Sequence, residues 1–175
     1  SRSFGPDPHL VARMAAQMIA GMQGAGLLAC GKHFPGHGDT SEDSHLKLPF
    51  LPHGLDRLLQ LELVPFVAAI DAGVAAIMTA HVVMRGIDPE NPATLSAGVL
   101  TGLLKTRLGF NGGVITDDLE MKAIADNYGR IDAPLRAARP GADLLLVCHT
   151  RDLQREIRDA LASAPPRDRK TRQRS

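Results

Sequence analysis

The sequence predicts an α/β fold of the (β/α)8 TIM-barrel type, and two observations support this prediction. Short apolar runs alternate with segments of helical periodicity, which is typical of parallel strands buried on both faces. Polar residues stand at the ends of three successive runs, where barrel enzymes build their sites. The runs end at His33, His81, Asp117 and Cys148, that is 48, 36 and 31 residues apart, and a barrel unit averages about 31 residues. A doubly wound open sheet would alternate in the same way, but the polar strand ends favour about four units of a barrel.

The first half of the chain shows two helical patterns and two strands. Residues 8–22 have helical spacing, and the run LLACGKH (27–33) predicts a buried strand. Residues 55–71 form a second helical pattern, which Pro65 is expected to bend. The next apolar run, VAAIMTAH (74–81), predicts the second strand.

The second half repeats the alternation. Ser96 is a suitable N-cap for a helix through residue 108, and Gly109 is its stop signal. GVITDD (113–118) predicts the third strand, with a shorter helical stretch after it. DLLLVC (143–148) predicts the fourth strand, and residues 151–162 predict a closing helix.

The composition is that of one globular domain without a nucleic-acid or membrane partner. Of 175 residues, 44% are hydrophobic and 22% are charged, and the net charge is +1. There is no Trp, one Tyr and five Phe, which argues against a platform that stacks bases. No stretch approaches the roughly 20 apolar residues of a transmembrane helix. We therefore expect a partial barrel over residues 1–163 and a basic, solvated tail over 164–175.

Compartment cannot be assigned from these features. Cys30 and Cys148 each end an apolar run and are expected to be buried packing residues, which favours a reducing compartment such as the cytoplasm. The chain starts with SRSFGPDP and no initiator Met, so it is expected to be processed or to lack its beginning. Export therefore stays open.

The stretch KHFPGHGDTSEDSH (32–45) is the densest group of reactive side chains, with three histidines, two aspartates, a glutamate and a lysine. Asp43 and His45 are two residues apart, so the carboxylate can fix the tautomer of the ring and raise its pKa for proton transfer. His37 lies in a Pro-Gly turn and is expected to be a hydrogen-bonding structural residue. The loop therefore suggests acid–base chemistry, with a merely polar surface loop as the alternative.

The paired aspartates at the end of the third strand have different expected roles. Adjacent residues of a strand point to opposite faces, so only one of Asp117 and Asp118 can face a site. The other is placed to cap a helix that begins near Leu119.

A metal site is the competing explanation for these residues. His33, His37, His45, His81 and Asp117 would be sufficient ligands. However, the chain has no His-x-His or His-Glu-x-x-His pattern, and a Pro-Gly turn separates His33 from His37. We therefore expect no metal and keep a metal-dependent barrel hydrolase as the less favoured alternative.

Six motifs carry a resemblance to a known family. In this order, KHFPGHGDTSEDSHLKLP, ELVPF, MTAHV, PATLS, LGFNGGVITDDLEM and GADLLLV resemble the β-N-acetylhexosaminidases of glycoside hydrolase family 3. The resemblance runs from Arg2 to about His149. It implies a TIM-barrel enzyme that is retaining, needs no metal or cofactor, and releases terminal N-acetylglucosamine, typically from cell-wall fragments during peptidoglycan turnover.

The resemblance also implies roles for six residues. Asp117 matches the nucleophile, His45 the acid/base and Asp43 the partner of His45 in a dyad. His81 is then expected to be a packing or supporting residue. The residues that match substrate-binding positions of the family are Arg2, Lys32 and His33.

The size of the chain departs from the family. Its barrel has eight strands, and this sequence opens in the loop that follows the fourth, so we expect units 5–8 only. Half a barrel leaves two open parallel edges, which soluble proteins avoid. An N-terminal half-barrel or a second chain is therefore expected to complete it, and a non-catalytic half-barrel that binds sugar or a partner is the alternative. A glucosidase or xylosidase is disfavoured, because the loop with Asp43 and His45 is similar to the N-acetylglucosaminidase branch.

Overall fold

The central feature of the protein is a parallel sheet, seen in a computed structural model that describes residues 4–40 and 48–164. The strands in these ranges are β1 (Cys30–Phe34), β2 (Phe50–Leu51), β3 (Ala76–Thr79), β4 (Val83–Met84), β5 (Gly113–Asp118) and β6 (Leu144–Leu146). Four of them form the main sheet in the order β1-β3-β5-β6, and every pair is parallel. The short strands β2 and β4 form a separate parallel pair.

Helices alternate with the strands of the main sheet along the chain. They are α1 (Pro8–Gly24), α2 (Leu55–Gln60), α3 (Val64–Asp71), α4 (Lys122–Tyr128), α5 (Asp132–Ala138) and α6 (Arg151–Ser163). A 3₁₀ turn spans Ala93–Leu95, and a π-helix spans Gly98–Arg107. None of the helices in the described ranges is long and apolar enough to cross a membrane.

The strand order confirms the predicted α/β fold and its barrel type. A doubly wound sheet reverses its strand order at a switch point, whereas the strands here follow one another in chain order. Within the described residues the sheet does not close on itself, and β1 and β6 form its two edges. These edges are those expected of half a barrel.

The sheet and its helices enclose one main apolar core. Phe34 at the end of β1 is fully buried and meets Phe66 of α3 edge to face, with 5.1 Å between ring centroids. Helix α1 packs against α3, and the Asp7 carboxylate caps its start by accepting a hydrogen bond from the backbone N–H of His9 at 2.9 Å. The contact between Phe34 and Phe66 thus anchors the end of β1 in the core.

The first strand is shorter and more exposed than the sequence predicts. It begins at Cys30 rather than at residue 27, and Leu27 and Leu28 are 60% and 84% exposed. The physical reason is that β1 is an edge strand, with β3 on only one side in the described structure. For the same reason the prediction of two buried cysteines is wrong: Cys30 lies on this edge and Cys148 beyond the end of β6, and both are exposed.

Three helix predictions also need correction. The segment 55–71 is broken into α2 and α3, because Pro65 lies in the first turn of a new helix instead of bending a continuous one. The helix after Ser96 is a π-helix that begins at Gly98, although the Ser96 hydroxyl does accept a hydrogen bond from the N–H of Val99 at 3.2 Å. Asp118 does not cap α4, which begins at Lys122; its carboxylate instead accepts from the N–H of Glu120 at 3.1 Å.

Candidate active site

The carboxyl ends of β1, β3 and β5 bring His33, His81 and Asp117 to one edge of the sheet. The register pairs Phe34 with Thr79 and Ile77 with Val114, so the three strand ends lie at the same height. His33 Nε2 lies 3.6 Å from Asp117 Oδ2, and these side chains are 31% and 23% exposed. Two motifs 84 positions apart in the sequence therefore meet in an accessible site.

The two aspartates at the end of β5 take different surroundings, as strand geometry requires. Asp117 lies beside His33, and its Oδ1 accepts a hydrogen bond from the backbone N–H of Asp118 at 2.9 Å. The carboxylate of Asp118 lies 3.0 Å from His149 Nε2 and accepts from the N–H of Cys148 at 3.3 Å. Asp118 therefore ties β5 to the loop after β6, and Asp117 is left facing the site.

The surroundings of His33 favour the neutral form of its ring. Burial lowers the pKa of its ring, the nearby Asp117 carboxylate opposes this effect, and Lys32 adds to it. A neutral ring next to a carboxylate can still donate one hydrogen bond and accept another. Lys32 itself is exposed.

His81 is a buried residue behind the site. It is 1% exposed, its Nδ1 lies 2.8 Å from Thr94 Oγ1, and its Nε2 lies 2.9 Å from the carbonyl oxygen of Asp118. Burial lowers the pKa of His81, and its contacts with Asp118 and the charge of Asp117 only partly oppose this. The expectation that His81 supports the site from behind agrees with these contacts.

The turn after β1 is held by polar contacts within it and below it. The Thr40 hydroxyl lies 2.9 Å from the His37 carbonyl oxygen and 3.1 Å from His37 Nδ1, which agrees with a structural role for His37. Gly36 has a φ of +137° and approaches Glu62 closely. Both oxygens of the Glu62 carboxylate accept from Arg57 Nη1 at 2.7 Å.

Three of the predicted site residues lie outside the described part of the chain. These are Arg2, Asp43 and His45. Their roles as substrate ligand, dyad partner and acid/base therefore stay predictions. Of the basic tail predicted for 164–175, only Ala164 is described.

One group among the described residues is close enough to hold a metal ion, and it differs from the set considered in the sequence. Ligand atoms of Asp39, His53 and Glu62 lie within 4.8 Å of one another. The Asp39 carboxylate is already paired with His53 Nε2, and Glu62 is paired with Arg57. Both carboxylates thus already have a partner within the protein.

Several residues of the site carried no clear signal in the sequence. Thr79 and Thr94 are 15 positions apart, and their hydroxyl oxygens meet at 2.8 Å in the core beside His81. Thr79 ends a buried strand and Thr94 lies in the 3₁₀ turn. Neither position stands out in the sequence, so only the folded structure reveals this contact. The sequence carried no signal for the contacts of Asp39 and Glu62 either.

Comparison with known proteins adds an independent line of evidence. The family described as "Glycosyl hydrolase family 3 N terminal domain" matches residues 1–165. A protein named "Beta-hexosaminidase" from Thiobacillus denitrificans is 39% identical over 156 residues, which cover 89% of this chain and 43% of that protein.

Solved structures of the same family share the fold. A glycoside hydrolase family 3 β-N-acetylglucosaminidase from Paenibacillus sp. superimposes with a TM-score of 0.91 at 50% identity, over 94% of this chain and 31% of that one. Native NagZ from Neisseria gonorrhoeae superimposes with a TM-score of 0.83 at 38% identity, over 97% of this chain and 48% of that one.

The chain spans less than half the length of these relatives. The matches confirm the resemblance to β-N-acetylhexosaminidases that the six motifs carry. With the family match over residues 1–165, they show that this chain belongs to glycosyl hydrolase family 3 and corresponds to part of its N-terminal domain.

Proposed function

We propose that this chain carries the catalytic residues of a retaining β-N-acetylhexosaminidase, with Asp117 as nucleophile, His45 as acid/base and Asp43 as the partner of His45. The observation that supports this most directly is the 3.6 Å approach of His33 Nε2 to Asp117 Oδ2. It brings a family substrate-binding position next to the family nucleophile position at the carboxyl ends of parallel strands, where barrel enzymes react.

In the first step the carboxylate of Asp117 attacks the anomeric carbon of a terminal β-linked sugar. The bond to the leaving oxygen breaks while His45 gives its proton to that oxygen, and a glycosyl ester of Asp117 forms. The Asp118 N–H that donates to Asp117 Oδ1 fixes the direction of the carboxylate before the attack. Retaining enzymes of the usual scheme use two carboxyl groups, and here a histidine replaces one of them.

In the second step water cleaves the ester. Neutral His45 takes a proton from the water, whose oxygen attacks the anomeric carbon and releases Asp117. The sugar leaves with its original anomeric configuration, and both residues return to their starting states. Asp43 would orient the ring of His45 and stabilise its charged form.

The substrate we propose is a terminal β-linked N-acetylglucosamine, for example in peptidoglycan fragments. Arg2, Lys32 and His33 would hold its hydroxyl groups, and neutral His33 can both donate and accept. NagZ from Neisseria gonorrhoeae has been crystallised with N-trifluoroacetyl-D-glucosamine and is 38% identical to this chain. This supports a substrate of that class.

The test is an assay with an aryl N-acetylglucosaminide, run on this chain alone and on this chain together with a polypeptide that supplies the other half of a family barrel. Asp117→Gly is expected to lower turnover by about three orders of magnitude or more. Azide should restore part of it by occupying the space of the carboxylate, with a glycosyl azide of inverted configuration as the product. Asp152→Asn is the matched control, since Asp152 is 82% exposed and lies on α6.

The outcomes separate the proposal from its alternatives. Full turnover by the Asp117→Gly variant would refute the proposed mechanism. Loss of activity to a chelator, with stoichiometric metal in elemental analysis, would instead support a metal-dependent hydrolase.

A non-catalytic half-barrel that binds sugar or a partner chain is the second candidate, because the open β1 edge favours it. Leu28 beside this edge is 84% exposed, and Met18 of α1 is 56% exposed. Inactivity of the completed barrel, together with binding of the sugar, would support this candidate.

A further inference from the structure

A row of buried polar side chains runs from the core to the backbone of the site. The Thr79 and Thr94 hydroxyl oxygens lie 2.8 Å apart, Thr94 Oγ1 lies 2.8 Å from His81 Nδ1, and His81 Nε2 lies 2.9 Å from the Asp118 carbonyl oxygen. Thr79, His81 and Thr94 are each at most 1% exposed. Such a buried network is costly unless each member is satisfied, and no buried side-chain N or O atom of the described residues lacks a partner.

The chemistry of the partners determines which nitrogen of His81 carries the proton. The Asp118 carbonyl oxygen can only accept, so His81 Nε2 must donate. In a neutral ring Nδ1 is then an acceptor, and it takes the hydroxyl hydrogen of Thr94. The Thr94 hydroxyl also donates to the Ala80 carbonyl oxygen at 3.0 Å, so its one hydrogen is shared between that oxygen and His81 Nδ1, and a protonated ring would leave it to Ala80 alone. Burial disfavours the charged ring.

The N–H, the carbonyl and the carboxylate of Asp118 each have a partner. Its N–H donates to Asp117 Oδ1 at 2.9 Å, and its carbonyl oxygen accepts from His81 and from the N–H of Met121 at 3.1 Å. Its carboxylate contacts His149 Nε2 at 3.0 Å. The direction of the Asp117 carboxylate thus depends on a residue whose own orientation His81 helps to hold.

We propose that His81 is a positioning residue of the site: its Nε2–H holds the Asp118 carbonyl and thereby aims the Asp117 carboxylate. This inference rests on the proposed role of Asp117 as nucleophile for its effect on turnover. The geometric part, from Thr94 through His81 to Asp118, does not depend on that role. His81 touches neither substrate nor reacting atoms in this arrangement, and it acts only through Asp118.

Two substitutions of His81 separate positioning from packing. In His81→Gln the side-chain amide nitrogen reaches the position of Nε2 and can donate to Asp118. In His81→Asn the amide reaches only the position of Nδ1, and the contact with Asp118 is lost. If His81 positions Asp117, the Asn variant should lose about 100-fold in kcat with little change in KM, since an error of about 1 Å in placement has that effect. The Gln variant should retain most of the activity.

Nuclear magnetic resonance tests the same inference without turnover. The ¹⁵N shifts of His81 in the unmodified chain should identify the Nε2–H tautomer, and Thr94→Val should change them. Exchange of the Asp118 amide hydrogen, which is donated to Asp117, should accelerate in His81→Asn but not in His81→Gln.

Each outcome decides one proposal. An Nδ1–H tautomer, or equal exchange rates at Asp118 in the two variants, would overturn the positioning role whatever the activity. If the resonance results are as expected but Asp117→Gly retains full turnover, the proposed function is wrong and the geometric inference stands. Parallel losses of kcat in Gln and Asn variants of equal stability would show that His81 acts by packing alone.

Discussion

Replacing Gly36 by alanine should disturb the turn of the FPGHG segment and with it the end of β1. Gly36 has a φ of +137°, which L residues rarely adopt, and an alanine there costs about 1–3 kcal/mol in backbone strain. Its Cβ would lie 3.0 Å from Glu62 Cβ and 3.1 Å from Glu62 Cγ. Glu62 cannot easily move, because its side chain is 7% exposed and paired with Arg57.

The expected loss of stability is the sum of the backbone strain and the steric overlap with Glu62. Overpacking of this kind costs about 1–3 kcal/mol, so together with the strain Gly36→Ala should lower the free energy of unfolding by about 2–6 kcal/mol. In a chain of 175 residues each kcal/mol lowers Tm by about 2–4 °C. Urea unfolding followed by circular dichroism measures the loss.

Gly38→Ala is the matched control two positions away. Gly38 is exposed and has no positive φ, and within the described residues nothing lies within 4 Å of the position its Cβ would take. We expect its free energy of unfolding to change by less than about 1 kcal/mol. Equal effects of the two substitutions would refute the role assigned to the turn.

Three further predictions follow from the described contacts. Arg57→Leu leaves the buried Glu62 carboxylate without its charged donor and should cost about 1.5–3 kcal/mol in urea unfolding; a cost below about 0.5 kcal/mol would contradict it. Burial lowers the pKa of His33 and His81 below 6.5, so the unfolded chain binds more protons below that pH. The free energy of unfolding should therefore fall as pH drops below about 6.5 towards the folded pKa values, by at most about 1.4 kcal/mol per pH unit for His81, and His81→Gln should flatten this slope. Leu28→Glu, at a site 84% exposed, should change the free energy of unfolding of this chain by less than about 0.5 kcal/mol; a larger loss would show that the side chain is covered.

The parts of the fold that depend on local pattern were predictable from the sequence. The third predicted strand has the observed bounds, Gly113–Asp118. Its short apolar run, which ends at two aspartates, is typical of a buried strand and of no other element. The stop at Gly109 was also predictable, since its φ of +70° is a conformation that glycine adopts without strain. By contrast, the exposure of Leu28 depends on which strand lies beside β1, and local periodicity carries no information about neighbours.

The sequence by itself determined the alternation of strands with helices, the polar character of the strand ends, and the family, because these follow from periodicity and from motifs of adjacent residues. Only the tertiary structure decided that His33 meets Asp117, that Asp118 turns away from the site towards His149, and that His81 binds the Asp118 carbonyl. Such contacts join residues from 31 to 84 positions apart. The distances between these side chains depend on strand register. Register is set by the packing of the whole sheet and its helices, and not by the few residues next to each contact in the sequence.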